Sequence, residues 1–193
     1  MKKNSIKIFS AEELRTRNDG LVIIKEAFEE LGIDFFLMMG ILLGAVREKN
    51  FIKWDWDVEL GIYVDSIINR VGEVQNVFKK YNFKILIVDQ SYEGFKINLF
   101  YKENKYTLWG LHFDSKWLKR KTYRFPKKYF TDLAEIVFHD KVYKIPNNPE
   151  ELLTYIYGDW ETPIVSNEKK SYLNRRVFNK GKIINRIINR IIN

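Results

Sequence analysis

The chain has 193 residues, of which 46% are hydrophobic and 30% are charged, with 10 glycines and 4 prolines. This composition is typical of one globular domain that can bury a core, and it excludes a low-complexity polymer. The chain contains no cysteine, which excludes disulfide frameworks, thiolate zinc sites and cysteine nucleophiles. A formal charge of +8 favours an anionic partner such as a nucleotide, a phosphorylated glycan, a membrane surface or a nucleic acid.

The N-terminal segment is basic, but it lacks an apolar run long enough for the core of a signal peptide. No later segment approaches the roughly 20 apolar residues that a transmembrane helix needs. The simplest interpretation of the sequence is therefore a cytoplasmic protein.

Helical and strand patterns alternate along the chain, which predicts an α+β fold. Ser10 and Glu13 form a capping-box pattern before apolar residues at helical spacing, and Gly32 ends that pattern, so a helix is predicted over residues 11–31. The apolar run 34–39 predicts a short buried strand. The following elements are predicted to be a turn and short helix over 40–47, a strand over 53–64, a helix capped by Ser66, strands over 83–88, 95–101 and 106–113, a basic aromatic interruption over 117–128, and a helix that begins at Pro149.

The predicted strand over 53–64 carries three carboxylates on one face, because Asp55, Asp57 and Glu59 alternate with apolar residues. Neighbouring carboxylates on such a face lie about 7 Å apart and repel each other unless a cation compensates them. Oxygen ligands without histidine or cysteine favour a hard ion such as Mg²⁺ or Mn²⁺. The alternative is an edge strand whose acidic face contacts only water.

Two blocks of sequence carry a family resemblance. The first joins a glycine turn, Gly40–Arg47, to the acidic segment Phe51–Ile62. The second consists of Gly94–Tyr101, Tyr123–Pro126, Ile145–Pro146 and Tyr157–Pro163. In order and approximate spacing these blocks resemble the LicD family, and most closely its fukutin branch.

The resemblance implies a nucleotidyltransferase-like mixed β-sheet flanked by helices. It also implies the transfer of a phosphorylated alcohol, such as phosphocholine, ribitol phosphate or glycerol phosphate. The donor would be a CDP-alcohol, and the acceptor would be a cell-surface glycan or its lipid-linked precursor. Residues 1–168 would form this catalytic domain.

The resemblance assigns roles to individual residues. Asp57 and Glu59 match the family's paired acids and would hold Mg²⁺ or Mn²⁺. Asp55 shares their predicted face, where it would either contact the acceptor or be solvated. Gly40 matches the glycine turn of the donor site. Arg47 would bind a donor phosphate, with an exposed helix-terminal arginine as the alternative.

A later strand departs from the family pattern at Asn98, where an aspartate is usual. An amide oxygen can bind a metal, but it cannot take a proton as a carboxylate does. Lys96 shares the strand face with Asn98, and it would either neutralise a donor pyrophosphate or be solvated. Asn98 keeps a second class of function open: a catalytically degenerate member that binds a glycan, a partner protein or a nucleic acid.

The C-terminal residues 169–193 are predicted to form a basic amphipathic helical tail. Isoleucine pairs recur every four residues over Ile183–Asn193, with arginines between them. The apolar stripe could pack on its own domain, across a homodimer, or on the inner face of a membrane with the arginines at anionic headgroups. The basic aromatic stretch 117–128 is too unspecific to predict nucleic-acid binding.

Overall fold

A computed structural model describes residues 6–166 and 169–178 of the chain. Within these residues nine strands form one sheet. The strands are β1 (Phe36–Leu37), β2 (Val58–Tyr63), β3 (Lys84–Asp89), β4 (Lys96–Tyr101), β5 (Asn104–Asp114), β6 (Trp117–Arg120), β7 (Tyr123–Pro126), β8 (Ala134–Phe138) and β9 (Lys141–Ile145).

The strands follow the order β3-β4-β5-β2-β1-β9-β8 across the sheet, and the β6–β7 hairpin extends from β5. The pairs β2–β5 and β1–β9 are parallel, whereas the other pairs are antiparallel. The helices are α1 (Ala11–Leu31), α2 (Met39–Leu43), α3 (Val71–Lys80), α4 (Pro149–Tyr157) and the single turn α5 (Lys169–Tyr172). This mixed sheet with flanking helices confirms the predicted α+β fold class.

The first helix has the limits that its capping residues predict. The Ser10 hydroxyl accepts a hydrogen bond from the Glu13 amide at 3.2 Å, and the Glu13 carboxylate accepts one from the Ser10 amide at 2.8 Å. Gly32 ends the helix in the left-handed region with φ 62°, which a residue without a Cβ adopts at little cost. The reciprocal capping satisfies two backbone donors that the helix itself leaves unpaired.

Helices α1 and α3 cover one face of the sheet. Phe28 of α1 and Phe78 of α3 are fully buried, and their rings meet edge to face with centroids 5.2 Å apart. Tyr106 of β5 points into the same layer, where its hydroxyl donates to the Arg17 carbonyl at 2.6 Å. Because side chains alternate along a strand, Thr107 points to the opposite face. That second face carries the polar residues of the candidate site.

The acidic segment begins as a loop, and the strand predicted over 53–64 starts only at Val58. The prediction was therefore wrong for the first five of those residues. The Asp55 amide donates to the Ile52 carbonyl at 3.1 Å, which closes a turn instead of pairing with a neighbouring strand. The loop leaves the side chain of Trp56 59% exposed, although the alternating pattern predicted it on the apolar face.

Other element boundaries also differ from the predictions. The strand predicted over 34–39 contains only two residues, because Met39 already begins α2. Ser66 does not cap a helix: its hydroxyl donates to the Tyr63 carbonyl at 2.8 Å, and α3 begins at Val71. The interruption predicted over 117–128 folds as the β6–β7 hairpin. Strands β8 and β9 were not predicted.

The described part of the C-terminal segment packs on the domain. Leu173 and Val177 are buried, and Phe178 forms an antiparallel bridge with Tyr123. The predicted amphipathic stretch 183–193 lies outside the described residues, so the tail helix stays a prediction. No helix in the described ranges is long and apolar enough to cross a membrane.

Candidate active site

The glycine turn packs directly on two carboxylates. The Gly40 amide donates to Glu59 Oε2 at 3.3 Å. A Cβ added to Gly40 would lie 1.8 Å from Asp55 Oδ2 and 3.6 Å from Glu59 Oε2. Since no side chain fits at the first of these distances, a glycine is required wherever Asp55 takes this position. The carboxylates of Asp55 and Glu59 thus both lie against the glycine turn at the start of α2.

The third acid, Asp57, is buried with 5% of its surface exposed. Its Oδ2 accepts a hydrogen bond from the Thr107 hydroxyl at 2.8 Å and forms an ion pair with Lys105 Nζ at 3.3 Å. We call Asp55, Asp57 and Glu59 the acidic cluster. Burial of a carboxylate requires compensating partners, and Asp57 obtains them from β5.

Strand register brings Asn98 into the same site. Thr107 of β5 lies opposite Glu59 of β2 on one side and opposite Asn98 of β4 on the other. Residues in register point to the same face of a sheet, so the three side chains form a row across it. The Thr107 hydroxyl lies 3.3 Å from Asn98 Oδ1, and Asn98 is 7% exposed. Asn98 therefore contacts the acidic cluster through Thr107.

A buried arginine supports the acidic loop from the helical side. Arg17 is 1% exposed, its Nη1 donates to the Asp55 carbonyl at 2.8 Å, and its Nε donates to Asn104 Oδ1 at 3.2 Å. Its guanidinium carbon lies 4.1 Å from the centroid of the Phe9 ring. Arg17 thereby places a fixed positive charge behind Asp55 and Asp57.

Burial and like charges shift the pKa values of Asp55 and Tyr157. Burial, followed by the charge of Asp57, raises the pKa of Asp55 to about 7, and Arg17 opposes this shift. Burial, followed by the charges of Glu59 and Asp55, also raises the pKa of Tyr157 well above its usual range. Without a further cation, like charges at this distance favour the protonated form of one carboxyl group.

A cavity of about 510 Å³ opens above the acidic cluster. Residues from segment 157–166, together with Tyr172 and Leu173, form its far wall. The block Tyr157–Pro163 carries part of the family resemblance and was not predicted to be a site segment, but the structure places Tyr157, Trp160 and Thr162 in the cavity lining. Arg47 Nη1 donates to the Trp160 carbonyl at 2.6 Å and so joins the two walls. The cavity is lined, among others, by Gly40, Arg47, Asp55, Asp57, Glu59, Trp56, Tyr157, Trp160 and Tyr172.

Six of the seven predicted site residues are thus assembled at one place, five in the cavity lining and Asn98 next to it through Thr107. Lys96 lies on the same sheet face as Asn98, in register with Trp109, and does not line this cavity. The Arg47 guanidinium is engaged with a protein carbonyl and with Glu48 Oε1 at 2.9 Å. The roles of these residues in binding stay predictions.

Sequence reasoning missed Arg17, Lys105 and Thr107. Arg17 follows Leu14 by three residues and precedes Leu21 by four, so it occupies the apolar stripe of α1. A charged residue in such a stripe signals a buried, paired group. Lys105 and Thr107 alternate with the apolar residues of β5, but only the sheet register shows that they face the acidic cluster.

The donor atoms fit a hard divalent ion. The site offers carboxylates, the amide oxygen of Asn98 and the hydroxyl of Thr107, and such oxygen ligands suit Mg²⁺ or Mn²⁺. Among the residues described here, no three His, Cys, Asp or Glu side chains form a ready-made metal cluster. Mg²⁺ commonly uses one or two carboxylates and completes its shell with water and substrate phosphates. The arrangement suits an ion shared with a phosphorylated substrate.

Comparison with known families gives a match that covers most of the site. The family described as "LicD/FKTN/FKRP, nucleotidyltransferase domain" matches residues 32–148. The chain is 28% identical over 159 residues to the ribitol 5-phosphate transferase FKRP of Mus musculus and of Homo sapiens, which covers 75% of this chain and 32% of theirs. It is 27% identical over 166 residues to the ribitol-5-phosphate transferase FKTN of Macaca fascicularis, which covers 80% of this chain and 34% of that protein. The chain spans about a third of the length of these relatives.

Solved structures give a likeness in fold. The chain superposes on ANT(2″)-Ia in complex with adenylyl-2″-tobramycin with a TM-score of 0.52, over 80% of this chain and 83% of that chain, at 15% identity. A solution structure of the antibiotic-resistance factor ANT(2″)-Ia gives a TM-score of 0.53, over 82% of this chain and 80% of that one, also at 15% identity. At this identity the similarity concerns the fold alone.

Proposed function

Because this chain belongs to the LicD/FKTN/FKRP family of nucleotidyltransferase domains, we propose that it is a metal-dependent transferase of a phosphorylated alcohol. The observation that carries the proposal is the acidic cluster, which is packed on the Gly40 turn at the floor of a cavity of about 510 Å³. A cavity with oxygen ligands on one side and aromatic residues on the other suits a nucleotide-activated donor and a hydroxyl acceptor.

The first candidate for the transferred group is ribitol phosphate, because the curated relatives are named as ribitol phosphate transferases. Phosphocholine and glycerol phosphate are the other candidates from the family. The proposed donor is the corresponding CDP-alcohol, and the proposed acceptor is a cell-surface glycan or its lipid-linked precursor. The formal charge of +8 favours both anionic substrates.

In the proposed reaction an acceptor hydroxyl attacks the phosphorus that bears the alcohol. A new bond forms between the acceptor oxygen and this phosphorus, while the bond to the CMP oxygen breaks and CMP leaves with that electron pair. Asp57 and Glu59 would hold Mg²⁺ or Mn²⁺, which stabilises charge on the phosphate oxygens when bound. Asp55, the remaining acid of the cluster, accepts the proton of the hydroxyl, since Asn98 cannot.

Positioning supplies much of the remaining catalysis in phosphoryl transfer. Arg47 lines the cavity and is held by Trp160, so its position is fixed relative to both walls. The Gly40 amide holds the Glu59 carboxylate through a hydrogen bond, and the absence of a side chain at Gly40 leaves the space that the Asp55 carboxylate occupies. These contacts keep the proposed base and the proposed ion ligands in a constant arrangement before substrate binds.

Asn98 favours a second candidate function. An amide stands where the family usually has an aspartate, and Lys105 already neutralises Asp57 without a metal ion. Such a site is also compatible with a degenerate member that binds a glycan, a partner or a nucleic acid without transfer. Metal and donor binding separate the two candidates.

The test measures melting temperature with Mn²⁺ or Mg²⁺ and with CDP-ribitol, CDP-choline or CDP-glycerol. A ligand at about 100 times its Kd adds about 2.7 kcal/mol to the free energy of unfolding, so one donor should raise the melting temperature only when the ion is present. Asp57→Asn should abolish both effects. The matched control Asp132→Asn removes an exposed carboxylate and should leave them intact. No response to any ion or donor favours the second candidate.

A further inference from the structure

Lys105 is a basic side chain in direct contact with the acidic cluster. Its Nζ lies 3.3 Å from Asp57 Oδ2 and 3.7 Å from the centroid of the Trp56 ring. The Lys105 side chain is 13% exposed and that of Asp57 is 6% exposed, so water screens this ion pair only weakly. The proposed function leaves Lys105 without a role in the reaction.

The ion pair occupies the carboxylate that the proposed function assigns to a metal ion. Asp57 Oδ2 accepts a hydrogen bond from Thr107 as well as the contact from Lys105. A divalent ion and an ammonium on the same carboxylate repel each other. Ion binding to Asp57 therefore requires that the Lys105 ammonium moves away or that its charge is compensated by an anion.

We infer that Lys105 is an exchangeable counter-ion, which neutralises Asp57 in the metal-free protein and moves to a phosphate of the donor when Asp57 binds a divalent ion. The inference rests on the proposed function and adds a phosphate-binding residue to it. Lys105 and a phosphate carry opposite charges, so the exchange leaves neither the carboxylate nor the ammonium uncompensated.

The geometry allows this movement. A distance of 3.3 Å is longer than the roughly 2.7–2.9 Å of a tight charge-assisted hydrogen bond. Lysine carries its ammonium on a flexible four-carbon chain with three donors. The Trp56 ring remains beneath the ammonium during a displacement of a few ångströms, because cation–π attraction persists to about 6 Å from the ring centroid. Lys105 can therefore leave Asp57 without losing both of its contacts.

The two proposed roles of Lys105 have opposite effects on ion affinity and on donor affinity. A competing ammonium weakens the binding of a divalent ion to Asp57, whereas the same ammonium strengthens the binding of a phosphorylated donor. A lysine that only supports the fold would weaken both when it is removed. Separate measurements of ion affinity and donor affinity therefore distinguish a counter-ion from a structural residue.

The experiment titrates Mn²⁺ alone into the wild-type chain, Lys105→Met and Lys116→Met by calorimetry. Lys116 is exposed in the turn between β5 and β6, so its variant controls for the loss of one positive charge. We expect the Mn²⁺ affinity of Lys105→Met to rise roughly threefold to tenfold, the effect of one ion pair of modest strength, and that of Lys116→Met to stay unchanged. At saturating Mn²⁺, we expect the affinity of Lys105→Met for CDP-ribitol to fall by about tenfold.

Unchanged or lower Mn²⁺ affinity in Lys105→Met would overturn the counter-ion role. Unchanged affinity for CDP-ribitol would overturn the transfer of Lys105 to a phosphate. A wild-type chain that does not bind Mn²⁺ would instead contradict the metal-dependent function itself, so the two failures are distinguishable. If Lys105→Met does not fold by circular dichroism, Lys105→Gln replaces it, with the same expected directions.

Discussion

A single hydroxyl hydrogen lies between two acceptor groups in the row across the sheet. Thr107 Oγ1 is 2.8 Å from Asp57 Oδ2 and 3.3 Å from Asn98 Oδ1. A hydroxyl has one hydrogen to donate, and the shorter distance assigns it to Asp57. Asn98 differs from an aspartate here because its amide can rotate and donate to the Thr107 oxygen. An amide at this position therefore suits the metal-free site better than a further carboxylate beside the acidic cluster would.

Asn98→Asp should lower the melting temperature in EDTA and increase transfer in the presence of Mn²⁺. Without an ion the new carboxylate faces Asp57 and Thr107 with no donor of its own, and like charges repel. With an ion it adds a ligand or a base, and general-base catalysis contributes about 10²–10⁴-fold. Melting curves and CMP release from CDP-ribitol measure the two effects. The substitution Asn76→Asp at an exposed position of α3 controls for the added negative charge. Equal melting temperatures of Asn98→Asp and the wild type in EDTA would contradict the proposed repulsion.

The burial of Arg17 could be predicted from the sequence, but its hydrogen-bond partners could not. Its place in the apolar stripe of α1 could be read from the spacing of Leu14 and Leu21. Its partners could not, because the Asp55 carbonyl and Asn104 lie far away along the chain. That the three acids of the acidic cluster share one site could be predicted, because they stand close together in sequence, while their roles stay predictions.

At the scale of elements, sequence periodicity predicted several of the regular helices and strands, and it failed where the backbone forms hydrogen bonds within a local turn. The capped helix α1 and strands β3, β4 and β5 follow their patterns closely. The alternation before Val58 does not continue β2, since the Asp55 amide bonds to Ile52 in a turn. A two-residue period indicates a strand only when neighbouring strands supply the hydrogen bonds, and no sequence pattern shows this.

A substitution in the glycine turn is predicted to reduce catalysis while leaving ion binding unchanged. Gly40→Ala places a Cβ 1.8 Å from Asp55 Oδ2 but 3.6 Å from Glu59 Oε2, so the proposed base must shift while the proposed ion ligand need not. A misplacement of about 1 Å can cost about 10²-fold in rate. We therefore expect kcat for CDP-ribitol to fall by roughly this factor, with Mn²⁺ affinity retained.

The matched control for this turn is Gly72→Ala in α3. A Cβ at Gly72 meets no atom within 4 Å, and a helix favours alanine over glycine. Gly72→Ala should raise the melting temperature and leave transfer unchanged. Full transfer activity in Gly40→Ala would show that the position of Asp55 does not matter for the reaction.

At the scale of the whole molecule, distant parts of the chain close the site. Segment 6–10 contributes Phe9, whose ring stacks on Arg17, and the segment after α4 contributes the far wall through Trp160. The family block Tyr157–Pro163 indicated that the second of these segments belongs to the domain, but no sequence pattern indicated that it and Phe9 line the same cavity. Composition predicted a basic molecule with a charge of +8, whereas the structure concentrates three acids at the cavity floor.

This concentration of negative charge makes the stability of the metal-free protein depend on pH. The pKa of Asp55 is raised to about 7 by burial and by Asp57, from 3.8 in the absence of these effects. Between these two values the folded state binds more protons at Asp55 than the unfolded state does, so its contribution to the free energy of unfolding falls as pH rises. We expect this loss over pH 4–7 in EDTA, measured by urea unfolding. The asparagine in Asp55→Asn cannot ionise, so this variant should lack the part of the pH dependence of the unfolding free energy that comes from Asp55. Parallel plots of unfolding free energy against pH for the variant and the wild type would show that Asp55 titrates as an ordinary exposed carboxyl group.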